Sequence, residues 1–125
     1  MKIPELLKKI FLLHFIIDII FAIPLILFPE IFLRYLGWIE IDVISARLVG
    51  AVLIAIGTTS LIKKESTIES YNTLLTLKII WSFSALSVLL ISIINGAPKI
   101  LILIFIIFLL FFIIWVYYKR KLSKK

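Results

Sequence analysis

The run ILILIFIIFLLFFIIWVYYKRK, Ile100–Lys121, decides how the rest of the chain is read. Its first nineteen residues, through Tyr118, carry no charge, and Lys119-Arg120-Lys121 follow at once. A bilayer core about 30 Å thick takes about 20 apolar residues at a helical rise of 1.5 Å. A helix on a water-soluble protein would show a polar face every turn, and this run shows none. It reads as a membrane span ending in a basic flank. Three more runs have comparable length: Ile10 to Phe28, Val43 to Ile62 and Tyr71 to Ile94. Lipid cannot satisfy open backbone groups, so such continuously apolar runs are helices, and the absence of alternation excludes a barrel. The expectation is an all-α, four-transmembrane-helix bundle in a single membrane domain over residues 1–125. Its spans fall near 10–28, 43–62, 71–94 and 100–118, with up-down-up-down topology and short loops that pack neighbours antiparallel.

Composition agrees. The 125 residues are 63% hydrophobic and 17% charged, against about 45–50% and 25% in soluble domains, and the mean hydropathy is +1.23. Too little polar surface is left for a water-soluble enzyme, a disordered chain or a secreted disulfide framework. There is no cysteine and one histidine, so no metal centre, thiol chemistry or bound cofactor is expected. The net charge of +7 does not mark a nucleic-acid binder, because five of the fourteen basic residues crowd the last seven positions beside a span. The first run starts with Lys8-Lys9, but Asp18 and Pro24 interrupt it and no small-residue cleavage site follows. It reads as a retained helix rather than a signal peptide.

Basic residues also give orientation. Lys2, Lys8, Lys9, Lys63, Lys64 and the five of the C-terminal tail fall on one face, ten in all, against Arg34 and Lys99 on the other. Ten against two places both termini in the cytoplasm, N-in and C-in. Trp115, Tyr117 and Tyr118 are expected as an inner aromatic belt, and Tyr35 and Trp38 as an outer one. The outer loop, residues 29–42, contains Glu30–Leu36, which reads as an amphipathic helical turn stopped by Gly37.

Ionisable residues inside the spans are candidate site residues, because hydrocarbon makes an unpaired charge costly. Asp18 lies about 12 Å from the cytoplasmic edge of the first span by helical rise, and Lys78 lies at nearly the same depth in the third. They are expected to face each other. His14, four residues before Asp18, shares its helical face. The set His14, Asp18, Lys78 reads either as a register-fixing ion pair with a neighbouring imidazole or as a proton or solute site. Near the outer surface Arg47 is expected to pair with Asp42, Glu40 or Glu30, or to hold a lipid headgroup. Ala46, Gly50 and Gly57 make a small-residue strip on the second span, and Ser82, Ser84, Ala85 and Ser87 a similar one on the third. These strips predict close packing of the second span with the third. Pro24 should bend the first helix, and Asn95-Gly96 reads as a tight turn before Pro98 restarts the chain. No diphosphate-binding Asp cluster, metal-binding His helix, phosphate loop or nucleophile elbow occurs. The chain is not expected to be an enzyme.

Phe28-Pro29-Glu30, Leu36-Gly37, Asp42 ahead of Arg47-Leu48-Val49-Gly50-Ala51, Ile56-Gly57 and Asn95-Gly96 together resemble the DoxX-like group of small four-helix membrane proteins of bacteria and archaea. That resemblance implies a four-helix bundle in the cytoplasmic membrane, with some relatives linked to redox or quinone-associated complexes. A thiol-redox role does not carry over to a chain without cysteine. Asp18 in the first helix is also similar to the acidic residue of small multidrug-resistance transporters, although the residues around it depart from their pattern. The expectation is a non-enzymatic subunit or accessory of a membrane assembly. The alternative is a small proton-coupled transporter or lipid-binding protein acting as a dimer with Asp18 as its key acid. The expected partners are the lipid bilayer and a second copy or a larger complex. The Ile- and Lys-rich composition hints at an A+T-rich prokaryotic genome, and the expected location is the plasma membrane.

Overall fold

The computed structural model describes residues 2–61 and 67–124. The expected end of the second span at Ile62, and Lys63, Lys64 and Lys125 of the charge count, lie outside the described residues. Among the described residues there are five α-helices and no strand: α1 (Glu5–Leu27), α2 (Pro29–Tyr35), α3 (Val43–Thr58) with a 3-10 turn at Thr59–Leu61, α4 (Ile68–Ile94) and α5 (Ile100–Ser123). Four stretches, Glu5–Leu27, Val43–Leu61, Ile68–Ile94 and Ile100–Ser123, are long and apolar enough to cross a membrane.

Several helix ends lie beyond the apolar runs. α4 starts at Ile68 because the Thr67 side chain accepts from the Ser70 amide at 3.1 Å. The polar residues Glu69, Ser70 and Asn72 make that first turn look like loop in the sequence. α5 continues past Tyr118 to Ser123, since lysine and arginine are good helix formers and favour a helix C-terminus.

The chain divides into two compact units, Pro4–Glu65 and Ser66–Lys125 with Met1–Ile3. In the first, α1 and α3 pair antiparallel. A Cβ on Gly50 would lie 2.7 Å from Cγ1 of Ile26 and 3.1 Å from the Ala22 carbonyl oxygen, while one on Gly57 would meet Asp18. The small strip of α3 is therefore spent on the first span, which is where its close approach is made. Each helix buries one stripe at helical spacing: Leu7, Phe11, His14, Asp18, Ala22 and Leu25 on α1, and Ala46, Gly50, Leu53 and Gly57 on α3. Large apolar side chains such as Ile20, Leu27, Ile44 and Leu48 stay exposed, as lipid-facing positions do.

In the second unit α4 and α5 also run antiparallel. Trp81 meets Phe108 edge-on with ring centroids 6.0 Å apart, and Phe83 meets Phe112 at 6.3 Å. The buried stripe of α4 is Tyr71, Leu75, Lys78, Ser82 and Leu86, and that of α5 includes Phe111, Trp115, Tyr118 and Leu122. Trp115 and Tyr118, two residues of the expected aromatic belt, are thus buried against protein. Trp115 is fully buried, whereas Tyr117 is 57% exposed.

Two glycine stops share one geometry. Gly37 (φ +109°) ends α2 and Gly96 (φ +87°) ends α4. The Gly37 amide donates to the Arg34 carbonyl and Trp38 to Leu33, and likewise Gly96 donates to Ile93 and Ala97 to Ser92. Both are Schellman caps, in which the left-handed residue lets two late amides reach back to orphan carbonyls.

Two substitutions test these readings by thermal unfolding in nanodiscs. A Cβ on Gly96 would meet nothing within 4 Å, so Gly96→Ala isolates the left-handed backbone and is expected to cost about 1 kcal/mol, with Gly96→Asn costing less. Gly50→Ala overpacks against Ile26 and the Ala22 carbonyl and is expected to cost about 1–3 kcal/mol. Wild-type stability in Gly50→Ala would show that α1 and α3 do not pack here.

Candidate functional site

Hydrophobic spans force any polar side chain in their interior to find protein around it. Four such residues, His14, Asp18, Lys78 and Ser82, sit on the buried stripes, each at most 5% exposed.

On α1 the four-residue spacing puts His14 and Asp18 on one face. Nδ1 of His14 lies 3.5 Å from Oδ2 of Asp18, a pair that is ionic when the imidazole carries a proton. Gly57 of α3 forms the opposite wall. A Cβ there would lie 2.9 Å from Cβ of Asp18 and 3.0 Å from Oδ2, so the carboxylate occupies the volume that a side chain at position 57 would take. Ser60, in the 3-10 turn one further step along the α3 stripe, is also buried. The sequence places His14 on the face of Asp18, with Lys78 expected opposite, and takes Gly57 only as a helix-packing residue. The clue to its second role is the glycine itself, because a carboxylate buried between two helices needs one backbone to come close.

On α4, Lys78 is fully buried and its Nζ lies 5.3 Å from the centroid of the Trp115 ring. An ammonium over an indole face is a favourable cation–π arrangement, strengthened where water is excluded. Trp115 in turn stacks on Phe111 at 5.4 Å. Neither aromatic was singled out as a partner of Lys78 in the sequence, since a tryptophan ahead of a basic tail looks like a headgroup anchor. Asp18 belongs to the first compact unit and Lys78 to the second.

Near the start of α3 the Asp42 carboxylate caps the helix. It accepts from the Ile44 amide at 3.0 Å, the Ser45 amide at 3.4 Å and the Ser45 hydroxyl at 2.7 Å. The Ser45 hydroxyl and then the backbone amides hold its carboxyl below the usual aspartate range. Nε of Arg47 donates to the Ile26 carbonyl oxygen at 3.0 Å. That carbonyl is one of the last four of α1, which lack partners within their own helix. Arg47 therefore caps the C-terminus of α1 from α3 and brings a cation to the negative end of its dipole. The expected set Arg47, Asp42, Glu40 thus divides in its described hydrogen bonds: Asp42 serves α3 and Arg47 serves α1. Glu40 is exposed in the connection between α2 and α3. Among the described residues, no group of three or more His, Cys, Asp or Glu side chains could hold a metal ion.

A double-mutant cycle on His14→Gln and Asp18→Asn, read by thermal unfolding in nanodiscs, is expected to show coupling above about 0.5 kcal/mol; strictly additive losses would mean that the two groups do not interact. For Asp42, a carboxyl depressed in the folded state contributes stability above the ordinary carboxylate range and loses it as pH falls through the folded value. Asp42→Asn still caps but does not titrate, so its unfolding temperature should lack that acid-side decrement. No family model, curated protein or solved structure matches the chain.

Proposed function

We propose that this chain is a small multi-pass integral membrane protein with a non-enzymatic role, serving as a subunit or accessory of a larger membrane assembly. In this reading the four spans form an up-down-up-down bundle in a prokaryotic plasma membrane, of the DoxX-like kind, with both termini in the cytoplasm. The excess of lysine and arginine at the ends and in the second loop supports that orientation. The observation that carries the non-enzymatic role is how the buried polar side chains are seated. Asp18 is fitted against Gly57, and the Lys78 ammonium lies over Trp115. Polar groups enclosed this tightly act on helix register, the best attested use of a buried charge.

A second reading has one observation in its favour. The His14–Asp18 pair, 3.5 Å apart and buried in a span, can take up or release a proton, which is the requirement for proton-coupled transport by a dimer.

One set of measurements separates the two. The assembly role predicts that the tagged chain, purified from its own membrane, carries a partner in fixed stoichiometry, and that Asp18→Asn loses thermal stability. The transport role predicts pH-dependent flux from proteoliposomes containing only this chain, abolished by Asp18→Asn. Flux without a fixed partner would overturn the assembly reading.

A further inference from the structure

The α4–α5 hairpin carries a second polar feature, remote in sequence from His14 and Asp18. An open groove of about 570 Å³ runs along it, lined by Glu69, Asn72, Thr73, Thr76, Leu77, Ile80 and Lys119. Its polar residues cluster at the end where α4 begins and the basic part of α5 runs out, and Leu77 and Ile80 continue it toward the middle of the span. From Asn72 to Ile80 is roughly 12 Å at helical rise. This gradient, from charged to apolar over a dozen ångströms, matches that of a phospholipid from headgroup to acyl chain.

The hydrogen-bonding character of the polar end narrows the headgroup. Lys119 is its single cation. Nζ donates to the Asn72 backbone carbonyl at 3.3 Å, which positions the ammonium and leaves two of its three N–H groups for a phosphate. The two hydroxyls and the carboxylate beside it accept. The Thr73 hydroxyl donates to the Glu69 carbonyl and the Thr76 hydroxyl to the Asn72 carbonyl, both at 3.0 Å. Their protons are spent, and their lone pairs remain. Glu69, exposed at the same end, adds a carboxylate. One cation beside three acceptors complements a ligand with one phosphate and one group rich in N–H donors.

We propose that this groove binds a single phospholipid with a primary-amine headgroup, phosphatidylethanolamine. Lys119 holds the phosphate, Glu69 with the Thr73 hydroxyl oxygen receives the ethanolammonium, and an acyl chain lies over Leu77 and Ile80. A trimethylated choline has the same charge but no N–H to donate, so the site discriminates against it. An anionic glycerol headgroup satisfies Lys119 but sets its hydroxyls against Glu69 in place of a cation.

The test is native mass spectrometry of the full chain released from nanodiscs holding equal amounts of phosphatidylethanolamine, phosphatidylcholine and phosphatidylglycerol. The expected result is one retained lipid, with phosphatidylethanolamine favoured over phosphatidylcholine by on the order of fivefold. Glu69→Gln should remove that preference while retaining lipid, and Lys119→Gln should reduce retention of all three. Lys124→Gln, outside the groove, should change nothing. Equal retention of ethanolamine and choline lipids by the wild type would overturn the proposal. So would a preference that survives Glu69→Gln, or dominance of phosphatidylglycerol, the sign of general attraction to the basic tail. Thermal unfolding of each variant shows whether the hairpin is intact, and Glu69→Asp, which keeps the carboxylate, should restore part of the preference.

Discussion

A polar side chain in hydrocarbon has to be enclosed by protein, and in the first hairpin that enclosure depends on the close approach of α3 to Asp18 at Gly57. The contact does two things at once. It removes the carboxylate from lipid, and it fixes how α3 sits on α1, since only a residue without a side chain fits there. About two turns earlier along the strip, Gly50 admits Ile26 and the Ala22 carbonyl. At the far end Arg47 holds the last turn of α1. Three contacts along one antiparallel pair set its register, and each depends on a glycine or a polar group rather than on two large apolar side chains meeting. In a bilayer that is expected, because burying leucine against leucine gains little over burying it in lipid.

The α4–α5 hairpin solves the same problem by other means. Its buried charge is a lysine, and the long stem of lysine packs along the helix while the ammonium finds an aromatic face. Aromatic contacts at Trp81, Phe83 and Phe108 replace the glycine strip, so this pair is held through large side chains. The polar start of α4 and the basic end of α5 then make a groove with a charge gradient along it, the feature from which lipid recognition follows.

Arg47, Trp115 and the ends of α4 and α5 show where sequence reading stops. An arginine with acids nearby looks like half an ion pair, yet the orphan carbonyls of a neighbouring helix compete for it, and those are invisible until the helices are placed. A tryptophan before a basic tail looks like a headgroup anchor. Whether it turns inward depends on which face of α5 meets α4, and a helix that is apolar on all sides does not announce its buried face. The end of a span by hydropathy is likewise different from the end of a helix by hydrogen bonding, so polar first and last turns are missed.

The amino-acid sequence by itself determined that the chain is helical, that four stretches are long and apolar enough to span a bilayer, where the glycine stops lie, and that His14 and Asp18 share a face. These follow from local rules: residue length against bilayer thickness, the left-handed freedom of glycine, and a period of 3.6. Only the tertiary structure decided that Gly57 makes room for Asp18, that Lys78 lies over Trp115, that Arg47 caps α1 and that Lys119 reaches the Asn72 carbonyl. Each of these joins residues between 21 and 47 positions apart, and no local rule links such positions. Their pairing is set by which stripe of each uniformly apolar helix turns toward its neighbour, and that is a property of the packed pair.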